Sequence, residues 1–545
     1  MTSVPRIAYF CMEYGLDESF PIYSGGLGVL AGDFLKSAAD LKLPLVAVGL
    51  VWERGYGVQR IGPDGQPYDE FPQYDHGFLR DTGVRVRVRV RGAEVPCAVR
   101  VTQRFGHVPL YLIEPVRAED RWITRRLYEA GTEVRIAQEM LLGIGGLRAL
   151  NWLGWPISTY HFNEGHAVLA GIEMIAERME SGMSFVEAWA DARRRVVFST
   201  HTPVRAGNEE HSLRDLRRMG ACLELSGTEM RMLGGDPFNM TVAGLRLSRR
   251  ANAVSQLHGE TARAMWSHVQ DSAPIIAITN GVHAPTWQAR SIREAGRDPE
   301  RLRAAHAALK QELLAVIRAR TGHAFDPEGL LVGFARRAAA YKRTDLLLRD
   351  EGRLARLLEK EPIQFVYSGK AHPDDQAARA VIARLARAQR TFPGRFAFLE
   401  NYDLALARML TRGCDVWLHH PVRPLEACGT SGMKAALNGV INLGVLDGWW
   451  AEACEHGVNG WAIGGEGPAD DDRDLAATHD ALEQHVLPAW RDPERWIRLM
   501  QASILTAESR LTSDRMVREY FEHLYGSELP ASMAPSLTTY SSGSR

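Results

Sequence analysis

Short apolar runs bounded by turn residues recur along the whole chain. Residues 7–11 and 45–51 are nearly continuous in apolar side chains, the pattern of strands buried on both faces. Residues 84–90 alternate valine with arginine, a period of two that predicts a strand with one apolar and one solvated face; with 95–104 it predicts an antiparallel pair. Val134, Ala137, Met140, Leu141, Ile144 and Leu147 fall near helical spacing. Further strands are predicted at 155–163, 195–199 and 275–278. The second half has a cleaner rhythm. Strands at 330–334, 363–367, 396–399 and 415–418 alternate with helices at 344–359, 374–390 and 404–411. Such alternation predicts a parallel, doubly wound sheet.

At 545 residues the chain exceeds what one hydrophobic core supports. The expected division is a Rossmann-like domain over 1–300 with a small antiparallel excursion and a second over 301–505. A C-terminal helix over 506–528 is expected to return to the first domain, followed by a disordered Ser/Thr/Pro-rich tail over 529–545. Basic and acidic residues number 65 and 66, so charge balance gives no case for nucleic-acid or membrane-surface binding. Six cysteines are scattered without a CxxC pair, which suggests reduced thiols and a cytoplasmic setting. The N-terminus carries no signal-peptide pattern, and no apolar run is long enough to span a bilayer. No metal-ligand spacing is present.

The candidate chemistry lies where strands end. The stretch Tyr23-Ser-Gly-Gly-Leu-Gly-Val-Leu-Ala-Gly-Asp33 leads into a helix predicted at 34–43. Its glycines permit close approach of an anion to backbone N–H, but the spacing is not that of a dinucleotide fold. Strands ending in Asn163-Glu-Gly-His166 and Thr200-His201 place histidines on one rim. The run Arg336-Arg337-Ala-Ala-Ala-Tyr341-Lys342-Arg343 puts four cations before a helix, where like charge is unfavourable unless an anion is bound. Lys370 ends the next strand. Glu426-Ala-Cys428-Gly429-Thr430-Ser431-Gly432-Met-Lys434 is a glycine-and-hydroxyl turn opening a helix. By itself it reads equally as a plain βα loop with a solvated lysine or as an anion site.

Taken in order, these motifs together with Thr279-Asn280-Gly-Val and Phe398-Leu-Glu-Asn-Tyr402 resemble the α-glucan (glycogen, starch, maltodextrin) phosphorylases in their compact prokaryotic form, over about residues 6–460. The resemblance implies an α/β protein of GT-B architecture, two Rossmann-like domains facing a deep cleft. It implies pyridoxal 5′-phosphate held by Lys434 as a Schiff base and reversible, retaining phosphorolysis of α-1,4-glucan or maltodextrin by inorganic phosphate to glucose 1-phosphate. Thr430, Gly429 and Ser431 would cradle the cofactor phosphate, with Gly25, Gly26 and Tyr402 nearby. Arg337 and Lys342 would bind the substrate phosphate, Arg336 beside them. Glu426, Asn280 and His201 would contact the glucosyl unit, with Leu27 and His166 also in the cleft. A homodimer is usual in this family. Ala339, Cys428 and Gly432 depart from the motifs of the animal and plant forms. Two other readings share parts of the pattern: a retaining GT-B transferase using a nucleotide sugar, which has no use for a lysine at 434, and a non-catalytic glucan-binding relative.

Overall fold

The computed structural model describes residues 6–204, 207–465, 467 and 469–526. Two sheets divide the chain between them. The first contains β1 (Arg6–Phe10), β2 (Leu45–Leu50), β3 (Arg80–Val90), β4 (Ala93–Thr102), β5 (Leu110–Pro115), β6 (Ile157–Asn163), β7 (Val196–Ser199), β8 (Arg250–Ala253) and β9 (Ile275–Ala277), in the order β9-β8-β7-β6-β1-β2-β5-β4-β3. Pairing is parallel from β9 to β5. The β3/β4 hairpin adds an antiparallel edge. Its valines at 86, 88 and 90 are buried and the arginines between them exposed, as the period of two requires.

The second sheet contains β10 (Leu330–Arg337), β11 (Ile363–Lys370), β12 (Phe396–Leu399), β13 (Val416–His419), β14 (Ile441–Val445) and β15 (Gly460–Ile463), in the order β12-β11-β10-β13-β14-β15. Every pairing in it is parallel. The chain is thus an α/β protein of two doubly wound sheets, as the alternating pattern predicts.

In the parallel part of each sheet the strand order reverses once. β1 lies between β2 and β6, and β10 between β11 and β13. Loops leaving the carboxyl ends of such neighbours turn to opposite faces and leave a crevice between them. Those loops carry Met12–Gly26, Glu164–His166, Ala338–Lys342 and His420–Thr430, which are the motifs singled out above.

Each sheet has its own apolar core. A third cluster joins them: Val29, Val254, Val282, Trp287, Leu404, Met433, Leu437, Trp449 and Leu511 are buried together. After the helix Pro493–Arg510 the chain returns to the first sheet through Ser513–Glu519, where Ser37 bonds to Ser513 (2.6 Å) and Asp514 (2.5 Å). The hairpin Val58–Ile61/Pro67–Glu70 reaches the other way, exchanging Gln59 side-chain bonds with the backbone of Ala371. The predicted tail at 529–545 lies outside the described residues. No helix among the described residues is long and apolar enough to cross a membrane. All six cysteines are free.

Two helices near the cleft begin well away from where the pattern predicts, and the helix expected over 506–528 is broken between Arg510 and Ser513. The first helix, α1, runs Gly26–Asp40 rather than starting at 34. Gly28 and Gly32 are packing residues rather than turn residues: a Cβ on Gly28 would lie 2.6 Å from Glu13 Oε2, and one on Gly32 2.2 Å from the Gly15 carbonyl oxygen. The helix predicted at 344–359 begins only at Glu351. Short 3-10 turns precede it because Arg343 adopts φ +46°, its guanidinium held by the carbonyls of His420 and Pro421 and by Asp474.

Candidate active site

One cavity of about 990 Å³ opens between the two sheets. Every site residue implied by the resemblance lines it: Gly25, Gly26 and Leu27 from the start of α1; His166 and His201 from the loops after β6 and β7; Asn280; Arg336, Arg337 and Lys342 after β10; Tyr402; and Glu426, Gly429, Thr430, Ser431 and Lys434 after β13. Arg343, the fourth cation of the basic run, points away to Asp474. The two histidine loops share a rim because β6 and β7 are parallel neighbours.

At one end lie the cations. Arg336 is buried and donates to Glu426 at 2.8 Å; Lys342 Nζ stands 3.2 Å from both Glu426 oxygens. Burial alone would raise the Glu426 pKa, but Lys342 and Arg336 overcome it and hold the carboxylate at about 2. Lys342, expected to bind the substrate phosphate, shares its charge with a carboxylate here. Arg337 faces the cavity and has no carboxylate partner among the described residues. Three guanidinium or ammonium groups against one carboxylate leave this end about two charges positive. Lys370 adds a further amine bonded to the Gly57 carbonyl at 3.0 Å, with its pKa pulled down by burial to about 8.

Opposite them, the ladder of α1 starts with Val29 N–H donating to the Gly25 carbonyl, so the first turn of α1 presents N–H groups to the same space. A Cβ on Gly26 would meet nothing within 4 Å, so glycine there is not required by internal packing and leaves the helix end open to a ligand.

Lys434 occupies the fourth position of the helix Ser431–Ala436 and is 6 % exposed. Among the described residues its Nζ has no hydrogen-bond or ion-pair partner. It sits 3.8 Å above the centre of the Trp287 ring. Burial lowers its pKa to about 8, with Asp33 opposing. A desolvated amine near neutrality is the form that adds to an aldehyde. The turn before it keeps Gly429 at φ +82° and leaves Thr430 and Ser431 on the cavity wall. Gly432 is fixed by packing, since a Cβ would lie 2.5 Å from Asn442 Oδ1 and 2.8 Å from Trp449. The residues present therefore fit an aldehyde cofactor bearing a phosphate.

The other end is polar but nearly charge-balanced. Burial lowers the pKa of both His166 and His201 to about 3, so each is a neutral hydrogen-bonding group. His201 Nε2 bonds Asn163 Oδ1 at 2.7 Å, and its backbone N–H donates to Glu164 at 2.5 Å. Glu164 holds this place with φ +70°, a strained conformation for a side chain of its size. Arg135 donates to Glu209 at 2.8 Å, and His211 meets Glu139 at 2.8 Å. Ligand atoms of Glu139, Glu209 and His211 lie within 4.8 Å of one another, and the Arg135 guanidinium already supplies the positive charge there.

The sequence did not single out Glu13, Tyr128, Arg135 or Glu209. Glu13 accepts from the N–H groups of Ser24 (2.6 Å) and Gly25 (3.2 Å) and from the Tyr128 hydroxyl (2.9 Å), fixing the glycine turn. Its place straight after β1 is the one signal that could have found it.

The carbohydrate phosphorylase family model matches residues 277–459. The maltodextrin phosphorylase of Thermococcus litoralis is 38% identical over 96% of this chain and 71% of its own length. The glycogen phosphorylase of Mycobacterium bovis is 41% identical over 95% of this chain and 70% of its own. This chain belongs to the carbohydrate phosphorylase family. An uncharacterized protein of Methanocaldococcus jannaschii, 36% identical, aligns over 95% of this chain and 99% of itself. The family match spans Asn280, the basic run after β10 and the Lys434 turn; the longer alignments also take in α1 and the histidine rim.

Proposed function

We propose that this phosphorylase catalyses reversible phosphorolysis of α-1,4-glucan, transferring a glucosyl unit to inorganic phosphate with retention to give glucose 1-phosphate, and that it works in the cytoplasm with pyridoxal 5′-phosphate. The observation that carries the reading is Lys434: a buried amine without a polar partner among the described residues, at the end of a hydroxyl-bearing turn, in the same cavity as Arg337. The relatives named maltodextrin and glycogen phosphorylase support the substrate class.

Lys434 would supply the amine of the covalent tether. Thr430, Ser431 and the neighbouring backbone would hold the cofactor phosphate. When bound, the cofactor supplies a phosphate group that exchanges a proton with the substrate phosphate. Arg337 binds inorganic phosphate, with Lys342 and Arg336 adding charge that grows in value as negative charge gathers on the transferring group. The Arg336–Glu426–Lys342 cluster keeps Glu426 ionised, so its oxygens accept from sugar hydroxyls. Neutral His201, with Asn280 and His166, orients the glucosyl ring without attracting a second anion. Tyr23, Leu27, Tyr402 and Leu404 line the wall and exclude water, which would otherwise take the place of phosphate.

The test is direct. Purified protein incubated with maltodextrin and phosphate should form glucose 1-phosphate, and acid treatment should release pyridoxal 5′-phosphate. Protein that holds the cofactor but forms no sugar phosphate from any α-glucan would sink the proposal.

A further inference from the structure

We infer that Asp33 is a positioning residue for Lys434, acting through the indole of Trp287. The inference rests on the cofactor reading above. Asp33 lies in α1, on the first sheet's side of the cleft, and its carboxylate is buried. Trp287 Nε1 donates to both of its oxygens, at 3.0 and 2.9 Å. The face of that ring carries Lys434 Nζ at 3.8 Å.

The circuit closes on the backbone. Asn438 Nδ2 donates to the carbonyls of Trp287 (3.1 Å) and Lys434 (2.8 Å), and Arg412 Nε also donates to the Trp287 carbonyl (3.0 Å). Trp287 is thus gripped at its ring from one half of the molecule and at its backbone from the other. Its ring forms a floor whose height sets where the amine stands.

The choice of acid carries the argument further. An indole N–H needs only a neutral acceptor. Burying a carboxylate for that purpose alone costs desolvation without return. Asp33 feels Lys434 first among its charged neighbours, then His283 and Lys36. A buried negative charge behind the ring makes sense as the counter-charge of an amine that otherwise has none. It keeps part of the amine protonated and holds it against the ring, while the lack of a direct ion pair leaves Nζ free to react.

The experiment uses the full chain in its cofactor-free form. Competitive labelling of amines, read at the Lys434 peptide by mass spectrometry, gives the pH at which Lys434 becomes reactive, with a midpoint near pH 8 for the parent. Asp33→Asn keeps an acceptor for the indole and removes the charge, and should move this midpoint down by about one pH unit. Trp287→Phe keeps an apolar floor and removes the tie to Asp33. It should weaken pyridoxal 5′-phosphate binding, followed by absorbance, by about five- to tenfold. An unchanged midpoint in Asp33→Asn, or unchanged affinity in Trp287→Phe, overturns the assignment. Failure of the parent to bind the cofactor overturns the phosphorylase reading instead, and the labelling arm still decides whether Asp33 governs the amine.

Discussion

The two ends of the cavity handle charge in opposite ways. At the β10/β13 end, Arg336, Arg337 and Lys342 face one carboxylate, so charge is left over for anions that arrive with the substrate. At the β6/β7 end, His166 and His201 are neutral, and Arg135 with His211 is set against Glu209 and Glu139, so no positive charge is left over. On the proposed function, a phosphate would be drawn to one end and a neutral sugar tolerated at the other. Position in the fold produces the difference: the basic run follows a strand at one switch point and the histidines follow strands at the other.

Variants at each end test the contrast. The largest effect is expected at Lys434, the residue proposed to tether the cofactor. Lys434→Ala should abolish cofactor absorbance and reduce turnover by about 10³-fold or more. Arg337→Ala should lower kcat/KM for phosphate by about 10²-fold while the KM for maltodextrin changes less than about twofold, measured in the phosphorolysis direction. Equal losses for both substrates would erase the division. Glu164→Gln weakens the acceptor of the His201 N–H. It should cost about tenfold in kcat/KM for glucan and leave the KM for phosphate near the parent value.

The smallest effect concerns Asp447. This carboxylate accepts from the N–H groups of Glu426 and Gly448, and burial raises its pKa to about 7. A folded pKa above the unfolded value means that the folded state binds more protons between about pH 4 and pH 7. Stability from this group is present below that window and is lost as pH rises through it. Asp447→Asn should therefore flatten the fall in unfolding free energy between pH 5 and pH 8, by on the order of 1–2 kcal/mol in denaturant titrations. An unchanged slope would show that Asp447 is already ionised beside Glu426.

Much of this was legible in the residues. The alternation of apolar strands and amphipathic helices dictates two parallel sheets, because only buried parallel strands tolerate apolar side chains on both faces. Motifs at strand ends then identify a rim, and the combination of Arg337, Lys342, Glu426 and Lys434 identifies a family. Local signals failed where long-range contacts decide. The glycines of α1 read as a turn, yet they lie in a helix packed on Gly15. The helix predicted from 344 starts only at Glu351, because carbonyls 77 and 78 positions away hold Arg343 in a left-handed conformation.

The sequence by itself determined which groups are available: a surplus of cations after one strand, histidines after two others, one lysine in a glycine turn. Only the tertiary structure decided their electrical state. Burial neutralised the histidines, Glu426 took up part of the charge of Lys342 and Arg336, and Trp287 with Asp33 came from 147 and 401 positions before Lys434 to form its floor. Charge and pKa are set by what surrounds a group in space, and periodicity along a chain carries no record of that.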